Sequence, residues 1–265
     1  MALTIDLHGK HALITGVSSG IGLGIAAAMA EAGCNVAGCG LDSETSIGAV
    51  TFQRAVEGHG RSATYTPIDL RDDAGLRGWV AQAAAQLGGI DFVISNAGRS
   101  AFEGVSDCSD AAWNDALNLN LAAHWRLCQA ARPYLLAADE PVIVVITSNH
   151  AYSTIPGCFP YNVAKAGLLG LVQSLAIEWG PKVRAVGIAP GFIDTPGGDT
   201  WFNTFPDPAA ERARTEAMHP VGRIGTTREI GGMCAFLCSP FARFVTGTTF
   251  LVDGGRSALM QDNGS

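Results

Sequence analysis

The 265-residue sequence predicts an α/β fold in which one parallel sheet is covered by helices on both faces. Two observations carry this prediction. Short β-branched runs alternate with Ala- and Leu-rich stretches of helical length, and the alternation is repeated about six times along the chain. The runs are apolar at successive positions rather than at every second one, as expected of strands that are buried on both faces.

The elements follow one another in a regular order. Strands are predicted for the runs HALIT, NVAGC, ATYTPI and DFVIS, and each is followed by a helix, at Gly20–Glu31, 45–57, Asp73–Leu87 and 110–136. The run PVIVVIT then precedes a helix that starts after Pro160 and is stopped by Gly180 and Pro181. VRAVGIA, a segment rich in glycine and proline, a helix at 227–237 and a last strand, TTFLVD, complete the chain.

The composition argues against several classes of function. The chain carries 24 acidic and 17 basic residues, which are scattered and give a formal net charge of −7, so nucleic acid is not expected as a partner. None of the seven cysteines falls in a CxxC motif, and no metal-ligand cluster is expected. Cys234 and Cys238 are predicted to be small buried side chains of a helix. Unpaired cysteines of this kind indicate a reducing compartment, and we expect a cytoplasmic protein.

No targeting or membrane-spanning segment is predicted. The N-terminal stretch MALTIDLHGKHALITG lacks the charged start and the long apolar centre of a signal peptide. Residues 11–30 carry no formal charge, but glycines and serines divide them into a strand, a turn and a helix. Because the chain has no repeats, low-complexity tracts or linker, residues 1–265 are expected to form a single domain.

The turn after the first strand predicts a dinucleotide site. It reads TGVSSGIG at residues 15–22, and Gly16, Gly20 and Gly22 allow the backbone to turn tightly and to approach a pyrophosphate. The N-terminus of the Ala-rich helix that follows favours negative charge. Glycine-rich turns occur at many strand-to-helix connections, but the position of this turn, first in the chain, strengthens the prediction.

The stretch SNHAYSTIPGCFPYNVAK, at residues 148–165, contains candidate groups for proton transfer. Tyr161 and Lys165 are four residues apart, so their side chains share one face of a helix. An ammonium group about 5 Å from the phenol favours phenolate by about 3 kcal/mol, and we expect the pKa of Tyr161 to fall by about two. Ser148, at the end of the preceding strand, is placed to stabilise charge on a substrate oxygen.

These motifs, in this order, resemble those of the short-chain dehydrogenase/reductase family along nearly the whole chain. The family combines TGxxxGxG in the first turn with NAG (here 96–98), a serine thirteen residues before Tyr-x3-Lys, and PG (here 190–191). The resemblance implies a Rossmann-like, doubly wound parallel sheet. It also implies an NAD(P)-dependent oxidoreductase that acts on CH–OH groups.

The resemblance implies four catalytic residues. Ser148, Tyr161 and Lys165 correspond to the family's serine and Tyr-x3-Lys motif. The fourth is Asn120, which follows a tryptophan by seven residues in WNDALNLN and whose task in the family is to hold a water that links the lysine to solvent. Asn118, two residues earlier, is expected to point to another face of the helix.

The family's cofactor contacts can be carried over position by position. Asp69 corresponds to an acid that contacts adenine, and Thr195 corresponds to the residue that bonds the nicotinamide carboxamide. The resemblance predicts the following cofactor-binding set: Gly16, Ser18, Ser19, Gly20, Ile21, Gly22, Leu41, Asp42, Asp69, Leu70, Asn96, Ala97, Gly98, Tyr161, Lys165, Pro190, Gly191, Ile193 and Thr195.

The end of the second strand favours NAD over NADP. The family's usual ribose-binding acid falls on Gly40, so that signature is missing, but Asp42 lies two residues later. Asp42 is either a ribose contact or a turn or N-cap residue. Leu41 and Ser19 stand where NADP enzymes often carry basic residues, so no cation is available for a 2′-phosphate.

Substrate selection is expected from residues after NAG, residues after Ser148 and a lid at about 196–221. Three lid aromatics, Trp201, Phe202 and Phe205, either close over a small ligand or pack the lid onto the domain. Tyr152 is expected to line the pocket or to pack.

His150 and Arg99 complete the predicted substrate-binding set of Ser148, His150, Arg99 and Tyr161. His150 resembles a histidine that helps to bind a carboxylate in the family's 3-hydroxybutyrate dehydrogenases. Those enzymes also use a lysine where this chain has Cys158, and Arg99 either supplies the missing charge or faces solvent. Polar donors in a small site favour a sugar, a polyol or a hydroxy acid.

The predicted function is therefore hydride transfer between a nicotinamide and a secondary alcohol or ketone. One alternative is a 3-oxoacyl thioester reductase that uses NADPH, and a second is a dinucleotide-binding scaffold or redox sensor without catalysis. The apolar, glycine-rich C-terminal stretch VTGTTFLVDGGRSALM resembles the family's last strand and tail, which commonly pack between subunits, so a homotetramer or homodimer is expected.

Overall fold

Seven parallel strands form one sheet in the computed structural model, which describes residues 4–259. They are β1 (His11–Thr15), β2 (Asn35–Gly40), β3 (Ala63–Pro67), β4 (Phe92–Ser95), β5 (Val142–Ile146), β6 (Arg184–Pro190) and β7 (Thr249–Val252). Their spatial order is β3-β2-β1-β4-β5-β6-β7. The order reverses between β1 and β4, and ligands of such sheets bind beyond the carboxyl ends of the strands at that point.

Helices cover both faces of the sheet, as predicted. One face packs against α1 (Gly20–Glu31), α2 (Ile47–Glu57) and α9 (Thr227–Cys238). The other packs against α3 (Asp73–Leu87), α5 (Ala123–Ala137) and α6 (Tyr161–Trp179). Three shorter helices are α4 (Asp110–Leu117), α7 (Pro196–Phe202) and α8 (Pro208–Ala217).

Neighbouring residues of each strand supply two different cores. Ile14 packs on one face of the sheet with Ile25 and Phe52, whereas Leu13 packs on the other face with Leu76. All three partners on these two faces, like Leu13 and Ile14 themselves, are fully buried. This arrangement explains why the strands are apolar at successive positions.

The predicted helix boundaries differ from the observed ones by more than one residue in two places. α2 begins at Ile47 rather than Thr45, because the Ser46 side chain accepts a hydrogen bond from the backbone N–H of Ala49 and caps the helix. The helix expected at 110–136 is interrupted, since residues 118–122 form a wider π-helical turn between α4 and α5.

The segment 196–221 is more regular than the sequence indicated, because it contains the helices α7 and α8. Cys234 and Cys238 are buried, as expected of small apolar residues in a helix. Among residues 4–259, no helix combines the length and the apolar character needed to span a bilayer.

Helices α1 and α9 approach each other at the level of the backbone. A Cβ atom added to Gly231 of α9 would lie 2.6 Å from the carbonyl oxygen of Gly24 and 2.7 Å from the Cβ of Ala28, both on α1. Only glycine permits this separation. The contact bears on function because the N-terminus of α1 adjoins the glycine-rich turn.

Replacing Gly231→Ala should lower the free energy of unfolding by about 1–3 kcal/mol, because the added methyl group forces the two helices apart. The matched control is Gly232→Ala, one residue along the same helix, where an added Cβ meets nothing within 4 Å. That change should be neutral or stabilise by up to about 1 kcal/mol through helix propensity. Urea unfolding measures both values, and equal effects of the two substitutions would contradict the close helix contact.

Candidate active site

The carboxyl edge of the sheet brings the four predicted catalytic residues to one region. Ser148 follows β5, Tyr161 is the first residue of α6, and Lys165 lies one turn later on that helix. Asn120, Ser148 and Lys165 are 0%, 6% and 3% exposed, whereas the Tyr161 side chain is half-buried. A hydroxyl, a phenol, an ammonium and an amide therefore lie together, largely shielded from solvent.

Lys165 is held by the strand that precedes its helix. Its Nζ donates a hydrogen bond to the carbonyl oxygen of Ile146 at 3.1 Å and lies 5.7 Å from the centre of the Tyr161 ring. The Thr147 hydroxyl in turn donates to the carbonyl oxygen of Lys165 at 2.8 Å. These two bonds fix the first turns of α6 against the end of β5.

Burial, rather than the neighbouring charge, dominates the pKa of Tyr161. The expected fall is wrong for the protein alone, because burial raises the pKa of the phenol to about 12, with a hydrogen bond to the Ser148 hydroxyl acting in the opposite direction. Burial also lowers the pKa of Lys165 to about 8. Both groups are thus shifted towards their neutral forms, since a low-dielectric environment disfavours either charge.

Asn120 lies in the π-helical turn between α4 and α5. Its Oδ1 accepts a hydrogen bond from the backbone N–H of Arg99 at 3.0 Å, and its buried Nδ2 has no partner among residues 4–259. An unsatisfied buried amide is costly, and an ordered water is the usual solution. Asn118 differs, because its Oδ1 accepts a hydrogen bond from the Arg126 side chain on α5.

A buried histidine that the sequence did not single out follows Asn120 by four residues. His124 Nδ1 and the Ser95 hydroxyl lie 2.8 Å apart, and the ring is 2% exposed. Burial, and to a smaller degree the charge of Lys165, holds the pKa of His124 well below its usual range. The i, i+4 spacing from Asn120 was the available signal, since it places both side chains on one face of a helix.

The glycine-rich turn has the close packing that a pyrophosphate cradle requires. A Cβ atom on Gly22 would lie 1.9 Å from the carbonyl oxygen of Gly16, so a larger residue cannot be accommodated without moving the turn. Ser19 precedes α1 with an extended backbone, and its side chain makes no capping hydrogen bond. The first N–H groups of α1 are therefore available to an anion.

Asn96 ties this turn to the turn after β4. Its side-chain Nδ2 donates to the carbonyl oxygen of Thr15 at 2.9 Å, while the Thr15 hydroxyl accepts from the backbone N–H groups of Asn96 and Ala97. The two turns flank the point where the strand order reverses. This rigid pair fits a dinucleotide laid across the carboxyl ends of β1 and β4.

The other predicted cofactor residues follow the remaining strands. Leu41 and Asp42 come after β2, Asp69 and Leu70 after β3, and Gly191, Ile193 and Thr195 after Pro190, the last residue of β6. The Thr195 hydroxyl accepts from the backbone N–H of Gly198 and caps α7. The predicted positions therefore line one edge of the sheet, as the family pattern implies.

Two hydroxyl groups fill the space beside Gly40, the last residue of β2. A Cβ on Gly40 would lie 2.7 Å from the Tyr65 hydroxyl and 3.0 Å from the Ser18 Oγ, so these hydroxyls fill the space where a larger side chain would stand. Tyr65 donates to the backbone carbonyl of Asp42 at 3.0 Å. Asp42 is exposed and is not a helix cap, since Ser46 caps α2.

Asp69 is engaged by a neighbouring arginine. Its carboxylate accepts hydrogen bonds from Arg71, which also donates to Asp115 at 2.7 Å. These bonds hold the pKa of Asp69 below its usual value. Arg99 donates to the same Asp115, so its partner in the structure is a carboxylate on α4 rather than a group near Ser148.

Aromatic rings surround the Tyr161 phenol. The His150 ring centre lies 6.1 Å from that of Tyr161, and Phe102 lies 5.6 Å from Tyr161 and 6.3 Å from His150, all with edge-to-face geometry. Phe102 follows the NAG turn, the region from which selectivity was expected, but its residue type gave no signal. Tyr152 donates its hydroxyl to the carbonyl oxygen of Thr249.

The aromatic residues of segment 196–221 pack on one another. Trp201 contacts Phe192, Phe202 and Phe205 with ring centres 4.8–5.4 Å apart. Arg212 of α8 pairs with Asp194 at 2.9 Å and thereby joins α8 to the end of β6. Trp201, Phe202 and Phe205 were expected either to close over a ligand or to pack, and in this structure they pack.

Two further findings concern possible metal ligands and the thiol of Cys158. No group of three or more His, Cys, Asp or Glu residues suited to a metal occurs within the described range 4–259. Cys158 stands where the family's 3-hydroxybutyrate dehydrogenases carry a lysine. Its side chain is 2% exposed, and burial raises the pKa of its thiol.

Comparison with known proteins gives consistent matches along the chain. A family model described as Enoyl-(Acyl carrier protein) reductase matches residues 16–257. Dehydrogenase/reductase SDR family member 4 of Bos taurus is 35% identical over 257 residues, which cover 96% of this chain and 90% of that protein. The 3-oxoacyl-(acyl-carrier-protein) reductase FabG of Chlamydia muridarum is 32% identical over 252 residues, or 94% of this chain and 98% of that one.

The fold is also found among solved structures. Carveol dehydrogenase from Mycobacterium avium, in complex with NAD, matches with a TM-score of 0.90 and 25% sequence identity. The match covers 97% of this chain and 100% of that chain. The seven-stranded sheet and its helical layers are therefore shared with an enzyme that binds a nicotinamide dinucleotide.

The buried Lys165 should make stability depend on pH. Its pKa is about 8 in the folded protein against 10.5 for an ordinary lysine, so between these values the unfolded chain binds more protons and the free energy of unfolding rises with pH. Relative to a Lys165→Met variant, the wild type should gain about 2–3 kcal/mol between pH 8 and pH 10. Urea unfolding at several pH values measures this gain.

The control for this measurement is Lys182→Met, since Lys182 is exposed and should contribute no such gain. The series stops at pH 10, because above it the raised pKa of Tyr161 lowers stability as pH rises and opposes the lysine effect. A difference between wild type and Lys165→Met that stays constant with pH would contradict the burial of the ammonium.

Proposed function

Since this chain belongs to the short-chain dehydrogenase/reductase family of NAD(P)-dependent oxidoreductases, we propose that it moves a hydride between NAD and a secondary alcohol or ketone of a small polar substrate, namely a sugar, a polyol or a hydroxy acid. The proposal rests on the meeting of Ser148, Tyr161 and Lys165 at the sheet edge that also carries the glycine-rich turn. The nicotinamide, when bound, supplies the group that gives or takes the hydride.

Tyr161 is the proposed acid and base. With a pKa of about 12, the phenol is protonated at neutral pH and can donate a proton to the oxygen of a ketone that is being reduced. In the oxidative direction it has to accept that proton, and the positive charge of Lys165 then favours the phenolate. The Ser148 hydroxyl holds the same substrate oxygen and stabilises its developing charge.

Lys165 and Asn120 supply the proposed route for the proton. The pKa of Lys165, about 8, lies close to neutral pH, so the ammonium can both release and regain a proton there. The unpartnered Nδ2 of Asn120 is a fitting donor for a water next to this lysine. Since the Asn120 Oδ1 is fixed by the backbone of Arg99, the amide cannot rotate away from this position.

The end of β2 supports NAD over NADP. No basic side chain follows Gly40, where Leu41 is 71% exposed and Asp42 presents a carboxylate to solvent. An acid near the adenosine ribose favours the two free hydroxyls of NAD and repels a 2′-phosphate. The hydroxyls of Tyr65 and Ser18, which occupy the space at Gly40, are proposed to take part in this recognition.

A 3-oxoacyl thioester reductase is the second candidate, and the printed name of the Chlamydia muridarum relative favours it. That activity requires NADPH and a basic surface for an acidic carrier. The residues after β2 include no cation for the phosphate of NADPH, and the basic residues of the chain are scattered rather than clustered into a surface patch. A scaffold without catalysis is disfavoured because Tyr161 and Lys165 are both present.

We further propose a cytoplasmic homotetramer or homodimer, which would cover exposed apolar residues such as Ile177 and Phe244.

Replacing Tyr161→Phe should lower kcat by at least about 10²-fold, because the variant cannot transfer the proton, while the dissociation constant for NADH should stay within about threefold. The control is Tyr152→Phe, which removes a hydroxyl bonded to the carbonyl of Thr249 and should retain activity. Reduced-nicotinamide absorbance and fluorescence provide the two readouts. Activity of Tyr161→Phe near the wild-type level would refute the role of this residue.

The coenzyme preference can be tested by adding the missing cation. Leu41→Arg should tighten the binding of NADPH by about tenfold, since a guanidinium forms charge-assisted bonds with a 2′-phosphate, and it should leave NADH little changed. Leu136→Arg, at the far end of α5, adds the same charge away from the site and serves as the control. If the wild type binds NADPH as tightly as NADH in fluorescence titrations, the preference for NAD is wrong.

A further inference from the structure

A chain of four charged side chains borders the carboxyl edge of the sheet. It runs from Asp69, which follows β3, through Arg71 and then Asp115 of α4 to Arg99, which follows β4. In the sheet, β2 and β1 stand between β3 and β4. Direct ion pairs therefore connect the loops after two strands that are not neighbours, and the four formal charges alternate in sign and cancel.

Arg71 clamps the Asp69 carboxylate and binds Asp115 with its remaining nitrogen. The backbone N–H, Nε and Nη2 of Arg71 donate to Asp69 at 2.6–3.0 Å, and Nη1 donates to Asp115 Oδ1 at 2.7 Å. An ionised carboxylate offers about four acceptor sites, so these three donors leave about one site of Asp69 for a ligand. Asp69 is thus held in one orientation by a guanidinium that is itself fixed by α4.

Arg99 connects the other oxygen of Asp115 to the catalytic asparagine. Its Nη2 donates to Asp115 Oδ2, and its backbone N–H donates to Asn120 Oδ1 at 3.0 Å. A Cβ atom on Gly98 would lie 2.8 Å from Asn120 Oδ1 and 3.4 Å from Lys165 Nζ, so the backbone before Arg99 adjoins both groups. The backbone at 98–99 therefore sets the orientation of the Asn120 amide beside the lysine, and the Arg99 side chain anchors that backbone to α4.

We propose that Asp115 is a positioning residue of the oxidoreductase site, which holds Asp69 through Arg71 and the Asn120 amide through Arg99. The inference rests on the proposed function, in which Asp69 belongs to the coenzyme site and Asn120 to the route of the proton. Each oxygen of the Asp115 carboxylate serves one of the two arginines. A single side chain of α4 thereby fixes one group that binds the coenzyme and another that takes part in proton transfer.

The geometry of these ion pairs sets the size of the effect that we expect. The side chains of Asp69, Arg71 and Asp115 are 31–38% exposed, and isolated ion pairs at such positions usually contribute little. Here, however, several charges form one network and the contact of Arg71 with Asp69 is bidentate, which are conditions under which surface pairs do contribute. Since water still reaches the pairs, loss of Asp115 should change coenzyme affinity and turnover by about 3- to 10-fold rather than abolish them.

Three substitutions separate the two contacts of Asp115. Arg71→Met frees Asp69 and should mainly raise the dissociation constant for NADH, by about 3- to 10-fold, whereas Arg99→Met frees the Asn120 amide and should mainly lower kcat, by about 3- to 10-fold. Asp115→Asn keeps the size of the side chain, removes its charge and should show both effects. Fluorescence titration with NADH gives the dissociation constant. Reduced-nicotinamide absorbance gives kcat, measured with NAD and the best substrate among glucose, xylitol and 3-hydroxybutyrate.

Hydrogen exchange provides a readout that requires neither coenzyme nor turnover. The amides of residues 97–100 should exchange about 3- to 10-fold faster in Asp115→Asn and Arg99→Met than in the wild type, because the bond from the Arg99 N–H to Asn120 Oδ1 opens more often. Arg71→Met should accelerate exchange in this segment less than either of them, since it leaves the pair of Arg99 and Asp115 in place.

Three further variants accompany this experiment. Glu140→Gln removes a carboxylate that pairs with Arg243 and precedes β5, at the amino edge of the sheet, and it should change none of the three quantities. Arg99→Lys keeps the charge and should lose less kcat than Arg99→Met. The double variant Asp115→Asn/Arg99→Met should have a kcat no lower than that of the weaker single variant, because both substitutions break the same contact. If Asp115→Asn does not fold, as judged by its melting temperature, the comparison of Arg99→Met with Arg99→Lys carries the test.

The positioning role is wrong if Asp115→Asn leaves affinity, kcat and hydrogen exchange at their wild-type levels, or if its effect on kcat multiplies with that of Arg99→Met in the double variant. It is also wrong if Arg71→Met and Arg99→Met change affinity and kcat in the same proportion. Any of these results in an enzyme that oxidises an alcohol with NAD would leave the proposed oxidoreductase function standing. The expected changes in NADH affinity and hydrogen exchange, without turnover of any alcohol or ketone, would support the positioning role and overturn the proposed function.

Discussion

The hydrogen bond from Lys165 Nζ to the carbonyl oxygen of Ile146 is the contact on which the rest of the site depends. It gives a buried ammonium a partner at the end of β5 and, together with the bond from Thr147 to the Lys165 carbonyl, fixes the rotation of α6. Tyr161 is one turn earlier on the same helix, so its phenol is positioned against Ser148 by the same contacts. A helix start, a strand end and a strand-to-helix loop thus act as one rigid unit.

The burial of this unit also shifts the pKa values of its titratable groups. The same burial raises the pKa of Tyr161 and lowers that of Lys165, so at neutral pH the phenol is protonated, while the ammonium lies close enough to its pKa to release its proton. Both shifts have the same cause, a medium that solvates either charge poorly. The arrangement suits a site in which a positively charged ring arrives with the cofactor, because an ammonium that can give up its proton reduces the repulsion.

Much of this could be predicted from the sequence, because apolar runs and glycine spacing depend on neighbours along the chain. The strands, the two helical layers, the turn at residues 15–22 and the position of Tyr161 beside Lys165 follow from such local patterns. That burial outweighs the charge of Lys165 in setting the pKa of Tyr161 could not be predicted in this way, since it depends on how much protein surrounds the phenol.

Contacts between distant parts of the chain could not be predicted from local sequence patterns either. The pairing of Arg99 with Asp115 depends on how the turn after β4 meets α4, and the π-helical turn at Asn120 depends on packing between helices. The position of β7 at the sheet edge has a consequence for biosynthesis. On the ribosome, β1 to β4 emerge first, whereas β6 and β7, which form the other edge of the sheet, are translated last. A nascent chain therefore contains both of the turns that flank the reversal in strand order well before the far edge of the sheet can form.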